Sequence, residues 1–205
     1  NESTWIAQRN GRTKDGDDKT QVAVIKMFAM SSDKPFADNL AEMNIAPIAV
    51  SYEYEPCDVL KTQEVYLLRK NGTYTKTANE DLNSIVTGIR QFKGRISYTF
   101  CPPITETELA SCQEAPHKER FRLLAEIIDR RIYSGYRLFK TNYMAYDLLE
   151  GTHRFAQQYS EADLKEFVEY VEERTSSLEG DRGELRNIFL GIYANPVRNC
   201  IDNNI

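Results

Sequence analysis

The run Ile45-Ala46-Pro47-Ile48-Ala49-Val50-Ser51-Tyr52 does most to constrain the fold. It is short, apolar and rich in β-branched residues, as a strand covered on both faces would be. Pro47 stands near its start, where a missing N–H costs a sheet least. A second run of this kind, Gly94 to Ile104, is closed by Pro102-Pro103. Between the two lie helical patterns. Asp58 to Lys70 ends at Asn71-Gly72, a stop or tight turn, and Asn79 is placed to cap Glu80 to Phe92. Upstream, the apolar run Trp5-Ile6-Ala7 reads as a strand. Val22 to Met30 reads as a buried helix with Thr20 as its cap, and Pro35 to Met43 as a second helix capped by Asp33. Strands alternating with helices predict an α/β domain whose mainly parallel sheet is flanked by helices.

From about Glu106 the strand signals fade. Phe121, Leu124, Ala125, Ile128 and Ile132 recur at helical spacing within Glu119 to Ile132, and Tyr143 to Leu149 comes next. Ser160-Glu161-Ala162-Asp163 resembles a capping box ahead of a stripe of Leu164, Phe167, Val168 and Val171. A membrane surface could take such a stripe. Its opposite face is rich in Glu, though, so packing against the core is the better reading. Arg182 to Ile192 is a last helix, ended near Asn195-Pro196. The division expected is therefore 1–105, an α/β part, and 106–205, an α-helical C-terminal region.

The stretch Trp5 to Gln21 carries the sharpest functional signal. Its polar loop holds Gly11 and Gly16 with Arg9, Arg12, Lys14 and Lys19 around them. Glycine lets the backbone come close to a ligand, a following helix start offers free N–H groups, and arginine grips phosphate with two hydrogen bonds. The plain alternative is a solvated loop whose Asp15, Asp17 and Asp18 neutralise the cations. Two motifs fail. Gly11 and Gly16 have the spacing of a phosphate loop, but Asp17 stands next where Lys should be. In a calcium loop Lys19 would occupy a ligand position that needs oxygen.

The loop resembles the third motif of the glycerol-phosphate and lysophospholipid acyltransferase superfamily. There a strand ends in an E-G-x-R-like loop that holds the acceptor's phosphate. Gly11 and Arg12 match its glycine and arginine with one residue fewer between them, and Asn10 stands where the family has glutamate. Ala46-Pro47-Ile48 resembles the family's fourth motif, a proline-bearing strand that lines the acyl or acceptor pocket. The aromatic-dense Tyr136 to Gly151 is similar to a segment that comes after the catalytic domain in some bacterial members. The resemblance implies Asn10, Gly11, Arg12 and Lys14 at the acceptor phosphate and Pro47 in the pocket. It implies a partial acyltransferase domain, acting in phospholipid biosynthesis. A fatty acyl group would pass from acyl-CoA or acyl carrier protein, as co-substrate, to a glycerol-phosphate or lysophospholipid hydroxyl. No other cofactor and no metal is implied.

The family's base is the histidine of an H-x4-D motif. The two histidines, His117 and His153, have Arg122 and Gln158 at that spacing. No catalytic residue is therefore assigned within these 205 residues, and the chain alone is expected to be inactive. It begins at Asn1 almost directly in a strand-like run, which suggests the back part of a longer protein. There is no G-x-S-x-G elbow. Glu53 and Glu55, alternating with Tyr52 and Tyr54, could pair as acid and base, but they read better as a solvated strand end.

The formal net charge of -5 argues against general nucleic-acid binding, which wants a basic face. Four cysteines without a C-x-x-C pair fit core positions in a reducing compartment, hence the cytoplasm. No apolar run is long enough to span a bilayer, so membrane contact would be peripheral, at the inner face. The rival readings are a non-catalytic α/β module that binds a phosphorylated ligand or a protein partner, and an unrelated nucleotide-binding protein.

Overall fold

The computed structural model describes residues 3–9 and 13–205. Both central strands form where the sequence places them, as β1 (Ile48–Tyr52) and β2 (Ile96–Phe100). They pair with each other, and the pairing is antiparallel, with Val50 opposite Tyr98. Among the described residues this two-stranded sheet stands with nine α-helices. The mainly parallel sheet flanked by helices is thus corrected to a mostly helical fold carrying one antiparallel ladder.

The reason lies in the connection. One helix between two strands carries the chain back along the sheet and makes the next strand parallel. Here two intervene, α3 (Asp58–Asn71) and α4 (Glu80–Arg90). Gly72, in the left-handed conformation with φ of 73°, ends the first. The chain then returns to the end of the sheet that it left. The Glu53 and Tyr54 N–H groups donate to the carbonyls of Arg95 (2.9 Å) and Lys93 (3.0 Å). At the other end Cys101 N–H donates to the Pro47 carbonyl at 3.0 Å, and Ile104 N–H to that of Ile45 at 2.9 Å. Pro47, buried, therefore contributes an acceptor to the ladder and no donor. The expected strand at Trp5 to Ala7 does not form. That segment has no strand partner among the described residues, and Trp5 is 71% exposed.

The remaining helices are α1 (Val22–Ala29), α2 (Phe36–Glu42), α5 (Glu106–Glu114), α6 (His117–Ser134), α7 (Lys140–Glu150), α8 (Glu161–Ser176) and α9 (Arg182–Asp202). Ser160 caps α8 in a full capping box with Asp163. Gln21 rather than Thr20 precedes α1. Pro35 rather than Asp33 precedes α2.

One core joins Ile25, Leu40, Ala49, Cys101 and Leu109 to the inner face of α6, at Leu124, Ala125 and Ile128. A second lies between α7, α8 and α9, around Ala145, Phe167, Val171, Phe189 and Tyr193. A third, smaller one seats Val65 and Tyr66 of α3 on Leu185 and Ile188 of α9. All four cysteines are buried, and no disulfide joins them. Helix α9 is apolar on several sides because α3, α7 and α8 all pack on it.

Helix α9 also corrects its expected end. It runs through Pro196 to Asp202. Proline has no N–H to give the carbonyl four residues back, which here is that of Ile192. Gly16 sits at that carbonyl. A side chain built on Gly16 would place its Cβ 2.2 Å from the Ile192 oxygen, and Gly16 itself has φ of 77°. The close approach is open to glycine alone.

Candidate anion-binding cleft

Asn10, Gly11 and Arg12 lie outside the described residues. The adjoining stretch, Thr13 to Thr20, is pinned to the helices. The Asn195 side chain donates to the Asp15 carbonyl at 2.7 Å. Tyr136 OH donates to Asp18 at 2.9 Å, and Thr13 OH donates to the same carboxylate. The Thr20 N–H donates to Asp129 of α6 at 2.8 Å. Burial pushes the Asp129 carboxyl above its ordinary range, against the hydrogen bond from the Thr20 N–H. Asp18 likewise helps to hold the Tyr136 phenol protonated, though burial is the larger cause. Thr13 to Thr20 is therefore a built part of the fold.

Among the described residues the loop's cations Arg9, Lys14 and Lys19 are engaged. Arg9 Nη1 donates to the Asp17 carbonyl at 3.1 Å, and Lys19 pairs with Asp17 at 2.7 Å. That pairing raises the Lys19 pKa. Lys14 reaches the other way, to Glu64 of α3, at 2.6 Å.

Lys14 there lines a cleft of about 260 Å³ between α3 and the start of α4. Lys61 and Glu64 come from one wall, Tyr74 and Lys76 from the connecting segment, and Glu80 from the other wall. Each lysine has a carboxylate partner. Lys61 pairs with Glu55 at 3.1 Å and Lys76 with Asp81 at 2.5 Å. The Tyr74 hydroxyl donates to Glu80 at 2.7 Å. Glu80 is held below its ordinary carboxylate range by Tyr74 and by the Thr77 N–H, while burial and Glu80 push Tyr74 up to about 12. The cleft thus gathers three ammonium groups from three separate stretches, each neutralised by a carboxylate. An oxyanion that entered would trade one carboxylate for another ligand on the same lysine. Pro47 is not among the residues lining this cleft.

The carboxylates singled out after β1 are also accounted for. Glu53 holds Arg95 in a two-pronged contact at 2.8 and 3.1 Å, which keeps its carboxyl below the usual range. Glu55 takes Lys61 and the Cys57 N–H. They point to different partners and form no acid–base pair.

Asp58 was missed as more than a helix start. It is fully buried at the head of α3. Arg174 Nη2 donates to it at 2.5 Å, Tyr170 OH at 2.5 Å and Tyr193 OH at 2.9 Å, and the Val59 N–H adds a fourth contact at 2.7 Å. The Tyr193 oxygen in turn accepts the Glu55 N–H at 3.1 Å. Burial, then Asp58, drives the Tyr193 pKa well above that of a free phenol. A buried charge survives only when partners replace its water, and here they do. One side chain ties the exit of β1 to α8 and α9.

His117 packs edge-on against Phe121, ring centroids 5.2 Å apart. Among the described residues no group of His, Cys, Asp and Glu is arranged to hold a metal ion. No helix among them is long and apolar enough to cross a membrane. No model of a known protein family matches the chain, and neither the curated proteins nor the solved structures yield a match to it.

Proposed function

We propose that this chain supplies the acceptor-holding part of an acyltransferase, one that moves a fatty acyl group from a thioester carrier to a glycerol-phosphate or lysophospholipid hydroxyl. The observation that carries the reading is the position of Lys14. It comes just after the Asn10-Gly11-Arg12 loop and turns into a cleft that also holds Lys61 and Lys76. The two-stranded sheet gives the reading no support of its own. In such a reaction a base takes the hydroxyl proton, the oxygen attacks the thioester carbonyl, and the thiol leaves. The role left to this chain is positioning. Arg12 and Lys14 grip the phosphate, and the fixed geometry lowers the entropy cost of the attack.

The test is glycerol-phosphate affinity in the full chain. Arg12→Ala should weaken it roughly tenfold to hundredfold, the effect of one charged hydrogen-bonded contact. Glu64→Gln should strengthen it, because Lys14 then loses its competing carboxylate. Equal small losses for Arg12→Ala and Lys19→Ala, with no gain for Glu64→Gln, would refute the site.

A second reading keeps the cleft and drops the chemistry, leaving a helical module that binds a phosphorylated ligand. The histidines favour it, since neither His117 nor His153 has an aspartate at the H-x4-D spacing. Phosphate affinity without thiol release from an acyl thioester, even alongside any segment that supplies an H-x4-D base, would select this second reading.

A further inference from the structure

We propose that α4 and the outer face of the sheet form a docking surface for an anionic lipid membrane. The inference stands apart from the acyl-transfer reading and rests on exposure and charge. Leu82, Ile85 and Ile89 succeed one another at helical spacing and lie on one face of α4, and Phe92 follows just past its end. No residue of α4 is buried, and Ile89 and Phe92 are each 73% exposed. The sheet continues this surface. Ile96, Tyr98 and Phe100 alternate along β2 toward solvent, and Phe100 is 79% exposed. Their register partners Tyr52, Val50 and Ile48 share that face of the ladder. Phe92 joins the two halves, for its ring lies 5.5 Å from that of Tyr54 at the end of the ladder.

Charge decides the occupant. The chain carries a net -5, yet the stretch from Leu82 to Phe100 has Arg90, Lys93 and Arg95 and no acid, and the two acids of α4, Glu80 and Asp81, stand at its far end, on Tyr74 and Lys76. Arg95 is held by Glu53, and Lys93 donates to the carbonyls of Ile89 and Gln91, which ties its ammonium to the end of α4. Basic side chains beside exposed Ile and Phe are the pattern of a helix lying in a membrane interface. A second copy fits less well. In a two-fold contact the same patch meets itself, so the cations of each copy would face their own kind.

The measurement is co-sedimentation of the full chain with vesicles of phosphatidylcholine alone or mixed with phosphatidylglycerol. The chain should bind the mixed vesicles, bind neutral ones far less, and release as salt rises. Ile89→Asp with Phe92→Asp should lower the partition coefficient roughly tenfold or more, the worth of a large apolar side chain. Met30→Asp, at an exposed position on the end of α1, should leave it unchanged. Circular dichroism of each variant separates lost binding from lost fold. Equal binding to both vesicle types, no binding, or a dimer in solution that Phe92→Asp dissociates would each overturn the proposal.

Discussion

Helices α9 and α4 carry apolar faces of similar chemical make-up, and the molecule uses them in opposite ways. Helix α9 buries ten of its residues, packed against α3, α6, α7 and α8. Helix α4 buries none. Hydrophobic periodicity tells that a helix has a side averse to water. It does not tell which partner covers that side. In α9 the neighbours are other helices of the same chain. In α4 the face is open.

Stability measurements can break this contrast. The largest effect is expected at Asp58, the polar tie on the α9 side. Asp58→Ala leaves Arg174 without its carboxylate and two tyrosine hydroxyls without their acceptor. Orphaning one side of a buried pair predicts a loss of about 3–5 kcal/mol in urea unfolding. If Asp58→Ala with Arg174→Met restores most of that stability, the cost lies in the stranded charge; if not, the tie itself holds α3 to α8.

A smaller loss is expected where the polar loop meets α9. Gly16→Ala must hold a left-handed backbone, at about 1–2 kcal/mol, and also push its Cβ away from the Ile192 carbonyl. A drop in urea midpoint without a change in the slope would place the effect in the folded state, and no drop would mean that the loop is not seated on α9. The smallest effect belongs to α4. Ile89→Ser should change stability by no more than about 0.5 kcal/mol, as at other exposed positions. A cost several times larger would show that Ile89 is covered, and the contrast between the two helices would collapse.

The helices were largely legible because their signals are local. Ser160 and Asp163 announce α8 from three residues apart, and the spacing of Phe121, Leu124 and Ile128 announces α6. Both strands were legible for the same reason. Their direction was misread: two helices split at Asn71-Gly72 were legible between the strands, but how they fold back was not, because α3 packs on α9 far along the chain. Pro196 misled because proline is a helix breaker by local rule, while the packing around α9 carries the helix through it. Asp58 was illegible as a hub, since Tyr170, Arg174 and Tyr193 lie 112, 116 and 135 residues away. The cleft shows the same limit. Lys14 was readable as a cation in a suggestive loop, but nothing near it in the sequence names Glu64, its partner 50 residues on.

The closing of the ladder by Tyr54 and Lys93 bears on how this fold can vary over evolution. The chain leaves the sheet and comes back to it at one point, so residues 55–92 form an excursion whose two ends are stitched together. Within it α3 is moored to α9, but the stretch beyond Gly72 has only light moorings. Lengthening such a stretch is cheap, about 0.6 kcal/mol for each doubling of a flexible loop. The segment carrying the open apolar face can therefore be extended, trimmed or exchanged without moving either strand or disturbing Asp58. The docking surface proposed above could thus change while the body that presents it stays the same.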